Sequence, residues 1–177
     1  MFALAAIGLL AMPAHAAVTS TTTGGFRIEQ SVVVAATPDE AFDAFTGDVS
    51  PWWDHHFSEK PKALYIEPKP GGGFYEIFDE AGNGALHATV IYVMAGKEIR
   101  FSGPMGLSGT AIEFAQTVTF TPEGTGKTKV SLVVDAAGHV DAGWPEAVDA
   151  VWHHFLVERF QPYVASGAFR TPAAAAP

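Results

Sequence analysis

One amphipathic segment, held back to the far end of the chain, constrains the fold more than any other feature. From Trp144 to about Ala165, Val148, Trp152, Phe155, Leu156 and Tyr163 fall on one stripe at the helical advance of about 100° per residue. Pro145 sits in the first turn, where proline is tolerated. A helix of this kind does not stand alone in water and must bury its stripe against a larger surface. Each large side chain so buried contributes about 1.5–3 kcal/mol, which makes this face an anchor of the fold. The preceding sequence supplies the surface, because nearly all of it reads as strands. The pattern predicts an α+β fold: a curved antiparallel sheet of about six or seven strands wrapped around a long C-terminal helix, with a cavity between them.

The strands are legible from their punctuation. Phe26, Ile28, Val32 and Val34 alternate with Arg27, Glu29 and Ser31 in a first run reaching Ala36. Further runs fall at 62–67, 73–79, 85–94, 97–102, 112–121 and 127–135. Most are separated by hairpin signals such as Pro70-Gly71-Gly72-Gly73, Ala81-Gly82-Asn83-Gly84 and Gly124-Thr125-Gly126. Between the first two runs, Thr37 is placed as an N-cap, Pro38 as the first helical residue and Glu40 as the partner in a capping box. Ala41, Phe42 and Phe45 form the apolar side of that helix, and Gly47 ends it. A second short helical turn is expected at Pro51, giving two short helices after the first strand.

Residues 1–16 read as a secretory signal, with an apolar run from Phe2 to Met12 and the small-x-small site Ala14-His15-Ala16. The mature chain would begin at Ala17 and be periplasmic or secreted. The remaining boundaries are a disordered leader at 17–25, one domain at 26–167 and a disordered Ala/Pro-rich tail at 168–177. Phe2 to Met12 falls short of the roughly 20 apolar residues needed to span a bilayer, so no membrane span is expected. The absence of cysteine excludes disulfides, thiolate metal sites and a Cys nucleophile. A formal charge of −9 with no basic cluster argues against a nucleic-acid partner.

At this point the residues resemble a known family. Val34-Ala35-Ala36-Thr37-Pro38-Asp39-Glu40-Ala41-Phe42 looks like the opening strand and helix of the START-like helix-grip (SRPBCC) superfamily. Pro51-Trp52-Trp53, the hairpin Glu67 to Glu76 and the helix around Trp152–Phe160 look like its heat-shock ATPase activator homologue-like branch. The resemblance covers about residues 26–167 and implies a sheet wrapped around the last helix over an apolar cavity. Members range from lipid and hormone carriers to polyketide cyclases. The chaperone role behind the branch name is not carried over, since an exported protein would not meet a cytosolic chaperone.

Several side chains are candidates for the site. The ligand-binding set is Trp52, Trp53, Phe78, Tyr92, Phe101, Met105, Leu107, Phe114, Trp152, Phe155, Leu156 and Arg159. Arg159 falls inside the apolar stripe, where it either clamps a ligand carboxylate or carbonyl or snorkels to pair with an acid such as Glu113. The inward polar candidates are His87, Tyr75 or Tyr92, Glu76 and Glu113, among which His87, Tyr92 and Glu113 form the candidate catalytic set. Strict alternation puts His87 opposite Leu86, Val90 and Tyr92, and Glu113 opposite Ile112, Phe114 and Val118.

The pairs His55-His56 and His153-His154 each offer at most one ligand to a given site, and the helical projection turns His154 to solvent. No metal and no cofactor are therefore expected. Gly124-Thr125-Gly126-Lys127-Thr128 lacks the first glycine of a phosphate loop, and no Gly-x-Ser-x-Gly elbow is present. Three readings remain: a carrier or sensor of a small apolar or aromatic molecule, a cavity enzyme of cyclase, isomerase or hydrolase type, and a protein-interaction module presenting Trp52-Trp53.

Overall fold

In the computed structural model, which describes residues 24–170, one eight-stranded antiparallel sheet curves around a C-terminal helix. The expected signal segment, residues 17–23 of the leader and residues 171–177 of the tail lie outside the described residues. The strands are β1 (Gly24–Val34), β2 (Gly47–Asp48), β3 (Ala63–Ile66), β4 (Gly73–Ile77), β5 (Gly84–Met94), β6 (Glu98–Gly103), β7 (Ile112–Pro122) and β8 (Thr128–Gly138). Their order across the sheet is β1-β8-β7-β6-β5-β4-β3-β2. The chain therefore runs as a meander from β2 to β8, with β1 laid beside the last strand. The strand beyond the expected number is β2, a two-residue rung pairing Gly47 with Ile66, too short to leave any periodicity in sequence.

Helix α1 (Pro38–Phe45) carries the expected capping box, with the Thr37 N–H donating to Glu40 Oε2 at 2.9 Å and the Glu40 N–H to Thr37 Oγ1 at 3.4 Å. Its inner face buries Ala41, Phe42, Ala44 and Phe45. The short helical turn expected at Pro51 is a single turn, closed by the Trp53 N–H on Val49 O at 2.8 Å. That turn drops Trp52 into the core, where its ring meets Phe45 and Phe160 at 5.1 Å between centroids in each case.

Arg170 reaches back to Glu40 Oε1 at 3.1 Å, so Ala168–Arg170, expected in the disordered tail, forms a short 3-10 turn on the fold. The Thr37 N–H, the Arg170 guanidinium and the Thr37 hydroxyl together hold the Glu40 carboxyl well below its ordinary 4.5, at about 2. A carboxyl whose value is depressed on folding stabilises the fold above its unfolded value and loses that contribution as pH falls through the folded one. Glu40→Gln should therefore melt a few degrees below the natural protein at pH 6. Thermal scans should show that gap narrowing below pH 4.5 and closing near pH 2; a gap independent of pH would refute the assignment.

The terminal helix is α2 (Trp144–His153), a π-helical stretch (His154–Phe160) and α3 (Gln161–Ser166), in continuous succession. Pro162 explains the interruption. It has no N–H to give the Glu158 carbonyl, and its ring would clash there in a regular α-helix. The widened turn just before it, with the Gln161 N–H reaching Leu156 O, relieves both problems. The π stretch also moves the buried face on by one residue. Phe160 and Val164 are buried where a regular helical advance favours Arg159 and Tyr163, which move to the rim. Gly167 (φ 73°) stops the helix in the left-handed conformation.

Candidate functional site: an apolar cavity with a polar floor

Between the concave face of the sheet and α2 lies a cavity of about 320 Å³. Trp144, Val148, Val151, Trp152 and Phe155 wall it from the helix, Trp53 from the β2–β3 connection, and Phe114 from the sheet. Its rim at the β6–β7 connection is set by backbone geometry. Gly103 (φ 151°) ends β6 where a Cβ would lie 2.8 Å from the Ala88 Cα. The chain then turns through Met105, whose φ of 52° costs a non-glycine residue about 1 kcal/mol. That turn carries Met105 and Leu107 to the cavity.

Seven of the ligand-binding and catalytic candidates line the cavity: Trp53, His87, Met105, Leu107, Phe114, Trp152 and Phe155. Others do not. Trp52 is packed behind it under α1, with its Nε1–H donating to Ala44 O at 3.2 Å. Phe101 and Leu156 are buried core residues off the cavity wall, and Phe78 is half-buried in the β4–β5 turn. Tyr92 is on the outer face beneath Arg100, whose guanidinium carbon stands 4.6 Å from the ring centroid. Glu113 is exposed on β7 and faces away from the cavity. Arg159 meets Asp54 Oδ2 at 3.2 Å rather than Glu113, a charge contact without hydrogen-bond alignment.

Two bulges in β5 account for the errors on that strand. Tyr75 pairs with Leu86 and Phe74 with Ala88, which leaves His87 as an extra residue. Val90 pairs with Phe101 and Tyr92 with Arg100, which leaves Ile91 extra. The first bulge turns His87 inward on the side of Val90, and the second turns Tyr92 outward. Strict alternation predicts the reverse relation between His87 and Val90.

The polar floor is built on Glu76, which is fully buried. Its Oε2 accepts the Phe57 N–H at 2.9 Å and its Oε1 the Ser58 N–H at 2.8 Å. His87 Nε2 stands 3.0 Å from Oε2, and the Phe57 ring stacks on the imidazole at 5.4 Å and 6°. With the Nε2 proton directed at Glu76, Nδ1 is left as a lone-pair acceptor. Nδ1 is buried and has no partner among the described residues. The same holds for both amide atoms of Gln116, a cavity residue absent from the sequence-derived set.

At the mouth, residues from the two histidine pairs meet. His154 Nε2 lies 2.9 and 3.0 Å from the two oxygens of Asp54, and its Nδ1 lies 2.8 Å from Glu158 Oε2. His55 Nδ1 lies 3.0 Å from Asp54 Oδ1. His154 is thus half-buried and engaged rather than turned to solvent, because Asp54 and His55 of the 52–57 segment pack over that side of the helix. Hydrogen bonds to Glu158 and Asp54 raise its pKa above the ordinary imidazole value. Burial pushes the Asp54 carboxyl up, but hydrogen bonds from His55 and His154 outweigh it and leave the value lowered.

No family model matches this chain, and no curated protein matches it in sequence. Solved structures match it in shape. A protein of unknown function from Staphylococcus aureus superposes with a TM-score of 0.61 at 14% identity, over 84% of this chain and 99% of its own. A START superfamily protein from Mycobacterium smegmatis gives 0.53 at 16% identity, over 81% and 99%. The Bet v 1-like protein Ara h 8.0201 gives 0.55 at 15% identity, over 81% and 99%. The architecture, a curved antiparallel sheet closed by a C-terminal helix, is START/Bet v 1-like. No helix among the described residues is long and apolar enough to cross a membrane.

Proposed function

We propose, on the premise of that START-like fold, that the protein binds a small hydrophobic or aromatic molecule in the cavity as an exported carrier or sensor. The observation that carries this reading is the mismatch inside the cavity: an apolar wall around Gln116 and His87 Nδ1, neither with a partner among the described residues. A buried polar group without a partner costs about 1–3 kcal/mol, which a ligand can relieve by supplying one. The fitting molecule has an apolar body for the Trp and Phe walls. It also has a hydroxyl or N–H to donate to His87 Nδ1, and a second polar group for the Gln116 amide. A volume of about 320 Å³ suits a small molecule. Export rests on the residue 1–16 signal pattern, and placement in the heat-shock ATPase activator homologue-like branch rests on Pro51-Trp52-Trp53 and the 67–76 hairpin.

A second reading is favoured by one specific observation, the Glu76–His87 pair. A carboxylate that orients an imidazole and leaves its other nitrogen facing a water-poor cavity is the arrangement of a general base. In that reading His87 takes a proton from the bound molecule and Glu76 fixes the ring. Tyr92 and Glu113 have no part in it, because both lie on the outer face.

Native mass spectrometry of protein purified without detergent from the exported fraction tests the main reading. The expected result is a chain beginning at Ala17 that carries one small organic molecule. Adding that molecule back to stripped protein should shift the emission of Trp53, Trp144 and Trp152, all of which stand in the cavity wall. His87→Ala should weaken binding under the carrier reading and abolish turnover under the catalytic one. Empty protein that neither binds an apolar fluorescent probe nor shows a tryptophan response would overturn both.

A further inference from the structure

We propose that Asp54, His55 and His154 form a three-ligand site for a divalent transition-metal ion of the zinc class, open on its fourth side at the cavity mouth. This site does not depend on what the cavity holds. One donor atom from each residue lies within 4.8 Å of the other two. Asp54 Oδ1 stands 3.0 Å from His55 Nδ1 and 2.9 Å from His154 Nε2. Tetrahedral zinc with bonds of about 2.0–2.1 Å holds its donors roughly 3.3 Å apart, so small side-chain adjustments would admit the ion. Two imidazoles and a carboxylate match the donor set of open zinc sites, in which the fourth position takes water or substrate.

The fold fixes the spacing between the two ligand-bearing segments. Asp54 and His55 directly follow Trp53, and His154 directly precedes Phe155. The Trp53 and Phe155 rings stack at 3.8 Å and 18°, and the Trp53 Nε1–H donates to the His55 carbonyl at 2.6 Å. The ligands on both segments are therefore tied to one packed pair rather than carried by free loops. His154 also has the outer partner typical of metal-bound histidine, Glu158 on its second nitrogen at 2.8 Å.

Among the described residues Arg159 is the one Lys or Arg against the group, 3.2 Å from Asp54 Oδ2. It leaves Oδ1, the oxygen that both histidines approach, for the ion. On binding, the ion takes the place of the proton between His154 Nε2 and Asp54, and that proton leaves to solvent. Because His55 also lines the cavity, an ion held there would face whatever molecule enters.

The test is calorimetric titration of tag-free, chelator-stripped protein with Zn²⁺, backed by visible absorption with Co²⁺. One ion per chain with a micromolar or tighter Kd is expected, together with the intense visible bands of four-coordinate Co²⁺. His55→Ala and His154→Ala should each weaken binding at least 10-fold and abolish those bands. Glu158→Gln should weaken it by about 10-fold or more through loss of the outer partner. His139→Ala, paired with Asp141 elsewhere on the surface, should change nothing. His55 is more than half exposed, so its variant keeps the test valid if His154→Ala misfolds. Absence of saturable binding, or affinity unchanged by His55→Ala, would overturn the site.

Discussion

Glu76→Ala is expected to destabilise the protein by about 3–5 kcal/mol, because three donors lose one buried acceptor and each orphaned group costs about 1–3 kcal/mol. The size follows from what the carboxylate holds. Two backbone N–H groups, of Phe57 and Ser58, and the His87 ring all lose their acceptor at once. In a chain of this length the loss corresponds to a fall in Tm of roughly 6–20 °C. Glu76→Gln keeps one carbonyl oxygen for an N–H and should fall less. Urea unfolding of both variants checks the ranking; a loss below 1 kcal/mol for the alanine variant would show that water replaces the carboxylate and that the segment from Trp53 to Ser58 is held by its aromatics alone.

Gln116→Leu should move stability the other way. Leucine is close to glutamine in volume and removes two buried polar atoms that lack partners among the described residues. We expect the ligand-free protein to gain about 1–3 kcal/mol, the size of the penalty removed. Affinity for the cavity ligand should fall at least 10-fold, because its polar group would lose a partner. A variant that is more stable and binds less well is the signature of a residue kept for recognition rather than for folding. Loss of stability in Gln116→Leu would sink that interpretation, and so would unchanged affinity.

The skeleton of the fold was legible because it rests on local rules. Thr37, Pro38 and Glu40 announce α1 by capping chemistry alone, and the Gly-rich turns separate β3 to β8. The site was half legible. Gln116 shares the inward alternation of Ile112, Phe114 and Val118, so the rule that turned Glu113 outward also points Gln116 inward. Phe78, Phe101 and Leu156 show the limit of hydrophobicity as a guide, since an apolar residue on an inward face can serve the core without touching the cavity. His87, Tyr92 and Arg159 were misplaced for one shared reason: each lies at or just beyond an insertion that breaks a period, two bulges in β5 and the π stretch in the last helix. Pro162 is the one printed warning of the latter. The bulges leave none, because they answer to neighbouring strands and not to local sequence.

The pairing of β1 with β8 has a temporal consequence. Gly24 faces Gly138 across that ladder, so nearly the whole domain must exist before the first strand finds its partner. Contacts this distant in sequence give a high contact order, and chains of that type fold in milliseconds to seconds. During synthesis the nascent strand would wait with Ile28, Val32 and Val34 unburied, while the β2–β7 meander could assemble progressively behind it. Arg27 and Glu29, which in the finished sheet form a chain of ion pairs with Asp135, alternate with that apolar row and serve during the wait as gatekeepers against self-association.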